Sequence, residues 1–486
     1  MNYYDLLKQK SGRHPMKPFI IYGGEVITYR DFSRRCEQLA AGIKGLENRV
    51  VFAYSDDFLF QLTAFFALQS VRATPLLLHY PLAEERIKAL AQEIGVSDLL
   101  TVNNLQDLVP DGHTTITKDK LFLSPSSTRR DCVSREQAAF ETSLLGLSVQ
   151  ITLDTTRNPP PQNGCMGLLT SGTTGLSKHF YRTYESWADF FPVHNEIFRI
   201  NSESLMLLHG SLSFTGNLNA ALSLLYAGGT LVTAKVFRLK RFEHYIMEFG
   251  ITHIYLVPAK LHVFADALHQ KHPGVLQVLS GSQMLNPATI RKLQKENFPN
   301  AEIHLYYGSA ELSFLSYVGA EEILSNPLSV GKPFPGVRIF AVGEDLYADT
   351  PYHVLGYPRP CPLPDRAYFD EAGQLILRGR RDDLHNIRGF KVSVSHVERV
   401  LRAIPGVTDA AVFLETGNSG DAKLSAAVVS GLDEAEIRRE LSKKLYKLEI
   451  PGKIRLCDSI PHNQAGKPDY KELLGNKVDK IAAVIF

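Results

Sequence analysis

Short apolar, β-branched runs alternate with stretches of helical periodicity along most of the chain, and this alternation restricts the fold more than any other feature. Residues 19–22, 50–53, 75–78, 230–234, 253–257 and 275–280 read as strands, while residues 28–43 and 59–71 place apolar side chains at helical spacing. Such alternation predicts an α/β fold with parallel-rich sheets. At 486 residues the chain is too long for one core. It divides on sequence into a large, multi-lobed N-terminal domain, residues 1–381, and a small C-terminal α+β domain, residues 382–486. In the latter, residues 392–403 and 433–448 predict helices, and 410–414 and 425–429 predict strands.

Charge and composition exclude several classes of function. Lys plus Arg number 53 against 51 Asp plus Glu, so nothing electrostatic calls for nucleic acid or an anionic membrane. The longest apolar stretch, residues 58–71, is interrupted by Gln61, Thr63 and Gln69 and is too short to span a bilayer; it reads as a buried helix. The five cysteines, at 36, 132, 165, 361 and 457, form no C-x-x-C pair. That pattern argues against a disulfide framework or zinc site and fits a reducing, cytoplasmic setting.

The segment carrying most chemistry is Thr170-Ser171-Gly172-Thr173-Thr174-Gly175-Leu176-Ser177-Lys178, after an apolar strand predicted at 165–169. Glycines let backbone N–H groups turn toward an anion, hydroxyls add donors, and Lys178 adds positive charge. By composition alone it reads more readily as a flexible surface turn, and no Gly-Lys-Ser/Thr ending makes it a Walker loop. The order of its residues is more telling. It resembles the phosphate-binding loop of the adenylate-forming superfamily, which holds acyl-CoA synthetases, amino-acid adenylation domains and luciferases. That loop reads Thr-Ser-Gly-Thr-Thr-Gly-x-Pro-Lys, with Ser177 here replacing proline.

Further motifs follow in the family's order. Ser280-Gly281-Ser282 resembles the small-residue segment on which adenine lies. Tyr306-Tyr307-Gly308-Ser309-Ala310-Glu311 resembles Tyr-Gly-x-Thr-Glu, with Ala310 in place of threonine. The resemblance implies a tyrosine stacked on adenine and Mg²⁺ held by Glu311. Gly331-Lys332-Pro333 matches a family turn. Asp365 stands where the family has the aspartate that accepts both ribose hydroxyls, although its Thr-Gly is absent. In Gly379-Arg380-Arg381-Asp382-Asp383, Arg380 would bond the ribose and Asp382 would be the interdomain hinge; Asn386 replaces a usual lysine. Arg388, Gly389 and Phe390 would line the thiol tunnel. Pro461-His462-Asn463-Gln464-Ala465-Gly466-Lys467 resembles the C-terminal lysine loop.

The resemblance spans about residues 18–470. It implies that ATP activates a carboxylic acid as acyl-AMP, with Lys467, Glu311 and Thr173 as catalytic residues, and that a thiol then takes the acyl group. Phe214, Thr215 and Gly216 fall at the acid pocket. Relatives that take α-amino acids have an aspartate where Thr215 stands, so a fatty or aromatic acid is expected. The apolar run 218–226 fits such a pocket and fits plain helix packing equally; His209 reads as structural rather than catalytic. Coenzyme A is the expected acceptor, with a carrier-protein phosphopantetheine as the alternative and a nucleotide-binding protein without turnover as a third reading. A monomer or homodimer is expected.

Overall fold

The computed structural model describes residues 1–43, 45–102, 114–115, 149–152, 163–170, 178–342, 345–380, 384–387, 390–416, 422–463 and 467–474. The chain packs as two compact units. One comprises residues 1–195, 200–204 and 208–237; the other comprises 196–199, 205–207 and 238–486. The boundary expected at 381/382 falls within the second unit, beside residues outside the described set.

In the first unit, Val50–Tyr54 is the centre of a sheet, flanked in parallel by Thr74–Leu78 and Asp98–Thr101. Beyond Thr74–Leu78 lies the parallel strand Met166–Thr170, which turns back on itself as Lys178–Arg182. Val50–Tyr54 and Thr74–Leu78 are buried along their whole length, which is why they appear in the sequence as continuous apolar runs rather than alternating ones. The helix Phe58–Ser70 is capped by the Asp57 carboxylate, which accepts from Phe60 N at 2.8 Å. Every residue from Phe58 to Gln69 is buried, as the lack of a polar face predicts. No helix among the described residues is long and apolar enough to cross a membrane.

In the second unit, His253–Tyr255, Gln277–Ser280 and Glu302–Ser309 run parallel. Glu302–Ser309 then pairs antiparallel with Ser313–Gly319, so the residues between them form a tight turn. A separate hairpin joins Asp365–Phe369 to Leu375–Arg380 through a turn in which Gly373 N donates to Asp370 O at 2.9 Å. C-terminal to it, Val407–Thr416 and Ala422–Ser430 pair antiparallel, and Lys453–Leu456 adds in parallel. The helices Val394–Arg402 and Glu434–Ser442 contribute Val397, Val400, Leu401, Ile437 and Leu441 to one apolar cluster with these strands.

Two predicted helices are corrected. Residues 392–393 belong to the strand Phe390–Ser393, and the helix starts at Val394 because the Ser393 hydroxyl caps His396 N at 3.1 Å. The helix predicted over 433–448 ends at Ser442. The charged pattern continues past that point, but the chain turns so that Leu445 reaches the core while Tyr446 stays exposed.

Candidate active site

Parallel pairing sets Ser280 opposite Leu305, and so brings Gly281 against the next residue, Tyr306. A Cβ at 281 would fall well inside the van der Waals radius of the Tyr306 ring, so glycine is required there by a neighbouring side chain. Tyr306 is buried; its ring lies between Tyr255 and Phe314, with the Phe314 centroid 3.9 Å away and the planes 14° apart. Its hydroxyl bonds that of Tyr255. Burial pushes the Tyr306 phenol up to about 12, so it stays neutral at physiological pH. Ser280 is also buried, and its hydroxyl donates to Leu256 O at 2.8 Å, while Ser282 is exposed with a positive φ of 72°.

Successive residues of a strand face opposite ways, so Tyr307 points away from that aromatic stack. It is half-buried, and its hydroxyl donates to Asp365 Oδ2 at 2.8 Å. Asp365 in turn lies directly across its hairpin from Arg380. The expected adenine and ribose residues Tyr307 and Asp365 are therefore in contact, and Arg380 is at the neighbouring strand position. Gly308 follows, where a Cβ would collide with the carbonyl of Ser313 across the strand pair. Gly281→Ala is expected to lower the thermal midpoint through overpacking of about 1–3 kcal/mol and to weaken nucleotide binding through displaced Tyr306. Calorimetry and ATP titration check this; unchanged values contradict the packing reading.

Ser309 ends the strand, and its Oγ accepts from Leu312 N at 3.2 Å, stabilising the turn that holds Ala310 and Glu311. Glu311 O accepts from Val354 N at 2.8 Å, which fixes the backbone beneath its carboxylate. Burial, with Glu311's negative charge adding to it, pushes Tyr357 up to about 12 and Cys361 up to about 11. Glu311 thus lies among neutral weak acids. Among the described residues no three His, Cys, Asp or Glu side chains gather as a metal cage. One carboxylate is enough for Mg²⁺ bound chiefly through phosphates and water, and Glu311 fits that donor set.

In the first unit, Thr170 and Lys178 are opposite partners at the ends of two antiparallel strands. The predicted phosphate loop therefore joins a hairpin; Ser171, Gly172, Thr173, Thr174 and Gly175 lie outside the described residues. So do Asp382, Arg388 and Gly389, and the side chains of Arg380 and Phe390. Lys467 is exposed.

Phe214 precedes the helix Thr215–Ala227, whose first residues are Thr215 and Gly216. The His79 ring meets Phe214 edge-on at 4.9 Å and lies 3.5 Å from Ser213 Oγ. Burial lowers the His79 pKa, favouring the neutral ring. Residues 217–225 of the helix are buried, so core packing accounts for that apolar run. His209 packs on Phe237 at 5.1 Å.

Sequence reading missed the group that builds this segment. The Gln61 amide accepts from Leu212 N at 2.8 Å and donates to Ser55 O at 2.7 Å and Ser211 Oγ at 3.0 Å. Asn217 Nδ2 closes the turn on Ser211 O at 2.8 Å. The available signal was a glutamine inside a helix apolar on every face, since a buried amide requires partners.

The chain matches the AMP-binding enzyme family over residues 7–356 and the AMP-binding enzyme C-terminal domain over 396–467. The chain belongs to the AMP-binding enzyme family. It is similar to the uncharacterized acyl-CoA ligase YhfT of Bacillus subtilis (strain 168), 28% identical over 465 residues and 91% of each chain. A plipastatin synthase of the same strain is 24% identical over 516 residues, covering 96% of this chain and 13% of that one. The fold is shared with o-succinylbenzoate CoA synthetase (MenE) from Bacillus subtilis in complex with its acyl-adenylate intermediate. That structure has a TM-score of 0.72 and 18% identity, covering 96% of this chain and 97% of that one.

Proposed function

We propose that the protein converts a fatty or aromatic acid and ATP to acyl-AMP and pyrophosphate, then transfers the acyl group to coenzyme A with release of AMP. The observation carrying the nucleotide half is the Tyr307–Asp365 hydrogen bond, which ties the base-stacking residue to the ribose acceptor. A carboxylate accepts readily from two adjacent ribose hydroxyls. Thr215 carries no charge, and beside it Phe214 meets a His79 ring whose neutral form burial favours, which suits an acid without an ammonium group.

In the first half-reaction a carboxylate oxygen attacks the α-phosphorus, and the bond to the bridging oxygen of pyrophosphate breaks. No protein nucleophile is needed; catalysis rests on alignment and neutralisation of negative charge. Lys178, Thr173 and the other loop residues Thr170, Ser171, Gly172, Thr174 and Gly175 would hold the phosphates, and Lys467 would bridge the acid and the α-phosphate. Glu311 would hold Mg²⁺, which supplies charge neutralisation at the phosphates when bound. In the second half-reaction a thiol sulfur attacks the acyl carbon and AMP leaves. The C-terminal region, 382–486, would pivot at Asp382 to bring Arg388, Gly389 and Phe390 to the thiol.

The plipastatin synthase among the relatives keeps a carrier-protein phosphopantetheine as the alternative acceptor. Side-by-side assays with coenzyme A and with loaded carrier proteins separate the two. Thioester on coenzyme A is the expected product. Transfer to carrier protein alone would replace coenzyme A in the proposal.

A further inference from the structure

Backbone bonds tie the residues just before Lys467 to those around it. Asn463 N donates to Lys467 O at 2.8 Å, Lys467 N donates to Asn463 Oδ1 at 3.1 Å, and Asp469 N donates to Pro461 O at 2.7 Å. A single bridge pairs His462 with Pro468. These bonds tie Lys467 to residues 461–463, so its position depends on what holds the segments on either side.

Both segments end on charged groups shared by one guanidinium. His462 Nε2 lies 3.2 Å from Asp409 Oδ2, and Asp409 Oδ1 lies 2.9 Å from Arg402 Nη1. On the other side, the Tyr470 hydroxyl donates to Glu398 Oε2 at 3.0 Å, and Glu398 Oε1 lies 3.4 Å from Arg402 Nη2. Arg402 Nη2 also donates to Ala410 O at 2.6 Å, which fixes the fork against the strand. The side chains of Arg402, Glu398, Asp409 and His462 are 13–17% exposed, so solvent screens these contacts far less than it would a surface pair. The chain's own packing reinforces the arrangement, since Ile460 and Tyr470 both pack on the apolar cluster of Ala411, Phe413 and Ala427.

We propose that Arg402 is a positioning residue for Lys467, clamping the segments on either side of it through Asp409–His462 and Glu398–Tyr470. A planar guanidinium with several fixed donors can bind two carboxylates at once, which lysine cannot reproduce. The inference rests on the proposed role of Lys467 in adenylate formation. A clamp acting through Lys467 matters where that amine is used and is idle where it is not.

The test compares Arg402→Met, Arg402→Lys, Tyr470→Phe and Lys467→Ala in the full chain. It measures acid-dependent ATP–pyrophosphate exchange and thioester formation from supplied acyl-adenylate. Arg402→Met is expected to lower the exchange kcat by about 10- to 100-fold, as for an ångström-scale misplacement, with the KM for ATP unchanged. Thioester formation stays within about threefold of wild type. Arg402→Lys restores little, and Tyr470→Phe, which removes one hydroxyl and keeps the packing, shows the same split more weakly. Equal loss in both half-reactions overturns the clamp, as does unchanged exchange in Arg402→Met or Tyr470→Phe while Lys467→Ala abolishes it. If Arg402→Met does not fold, Tyr470→Phe decides by the same criteria. Exchange that survives Lys467→Ala overturns the assignment of Lys467 itself, a result distinct from failure of the clamp.

Discussion

Lys467→Ala is expected to lower acid-dependent ATP–pyrophosphate exchange by about 10²- to 10³-fold, the range for removing one preorganised charge-stabilising group. Thioester formation from a supplied acyl-adenylate should stay within about threefold of wild type. The asymmetry follows from where charge develops. An anionic carboxylate must approach an anionic triphosphate, and a cation between them is worth most during that step. Once acyl-AMP exists, the electrophile is a carbonyl and the leaving group is already activated. An exposed lysine whose backbone is bonded to Asn463 suits a group that is used in one step and withdrawn in the next. Loss of both half-reactions to the same degree would contradict the assignment.

Asp365→Ala is expected to cost about 10²-fold in kcat/KM for ATP. Two hydrogen bonds from ribose to a carboxylate are worth about 1.5–3 kcal/mol each, and partial exposure of Asp365 brings the total toward the lower end. The substitution also removes the acceptor of the Tyr307 hydroxyl. A comparison of ATP with 2′-deoxy-ATP isolates the ribose contribution. Wild-type protein should favour ATP, and Asp365→Ala should treat the two nearly alike. A variant that loses activity yet keeps full preference for ATP would place the ribose contact elsewhere. Tyr307→Phe, which keeps the ring and the carboxylate, should retain most of that preference.

These effects bear on how much of the molecule is legible in its sequence. Strands such as Val50–Tyr54 were readable because a strand buried on both faces reads as a continuous apolar run. The Asp370–Gly373 turn was readable because its residues suit a tight hairpin: Asp370 Oδ1 accepts from Ala372 N and Gln374 N, at 3.0 and 2.8 Å. The roles of the two adjacent tyrosines were not readable. Tyr306 and Tyr307 differ by one position on a strand, and only the register of that strand decides which ring enters the core. The requirement for Gly281 was legible as a small residue, but its cause, the Tyr306 ring, belongs to a different strand. Arg402 looks ordinary in its own helix, and Gln61, although out of place in an apolar one, does not show there which groups it bonds; both acquire those partners only through tertiary packing.

The most direct measurement is isotope exchange in the wild-type protein with ATP, Mg²⁺, labelled pyrophosphate and a panel of aliphatic and aromatic acids. Label should enter ATP only when an acid is present, because exchange requires reversible formation of acyl-AMP. Label entering ATP without acid, or no exchange with any acid although ATP binds, would contradict adenylate formation as the reaction of this site.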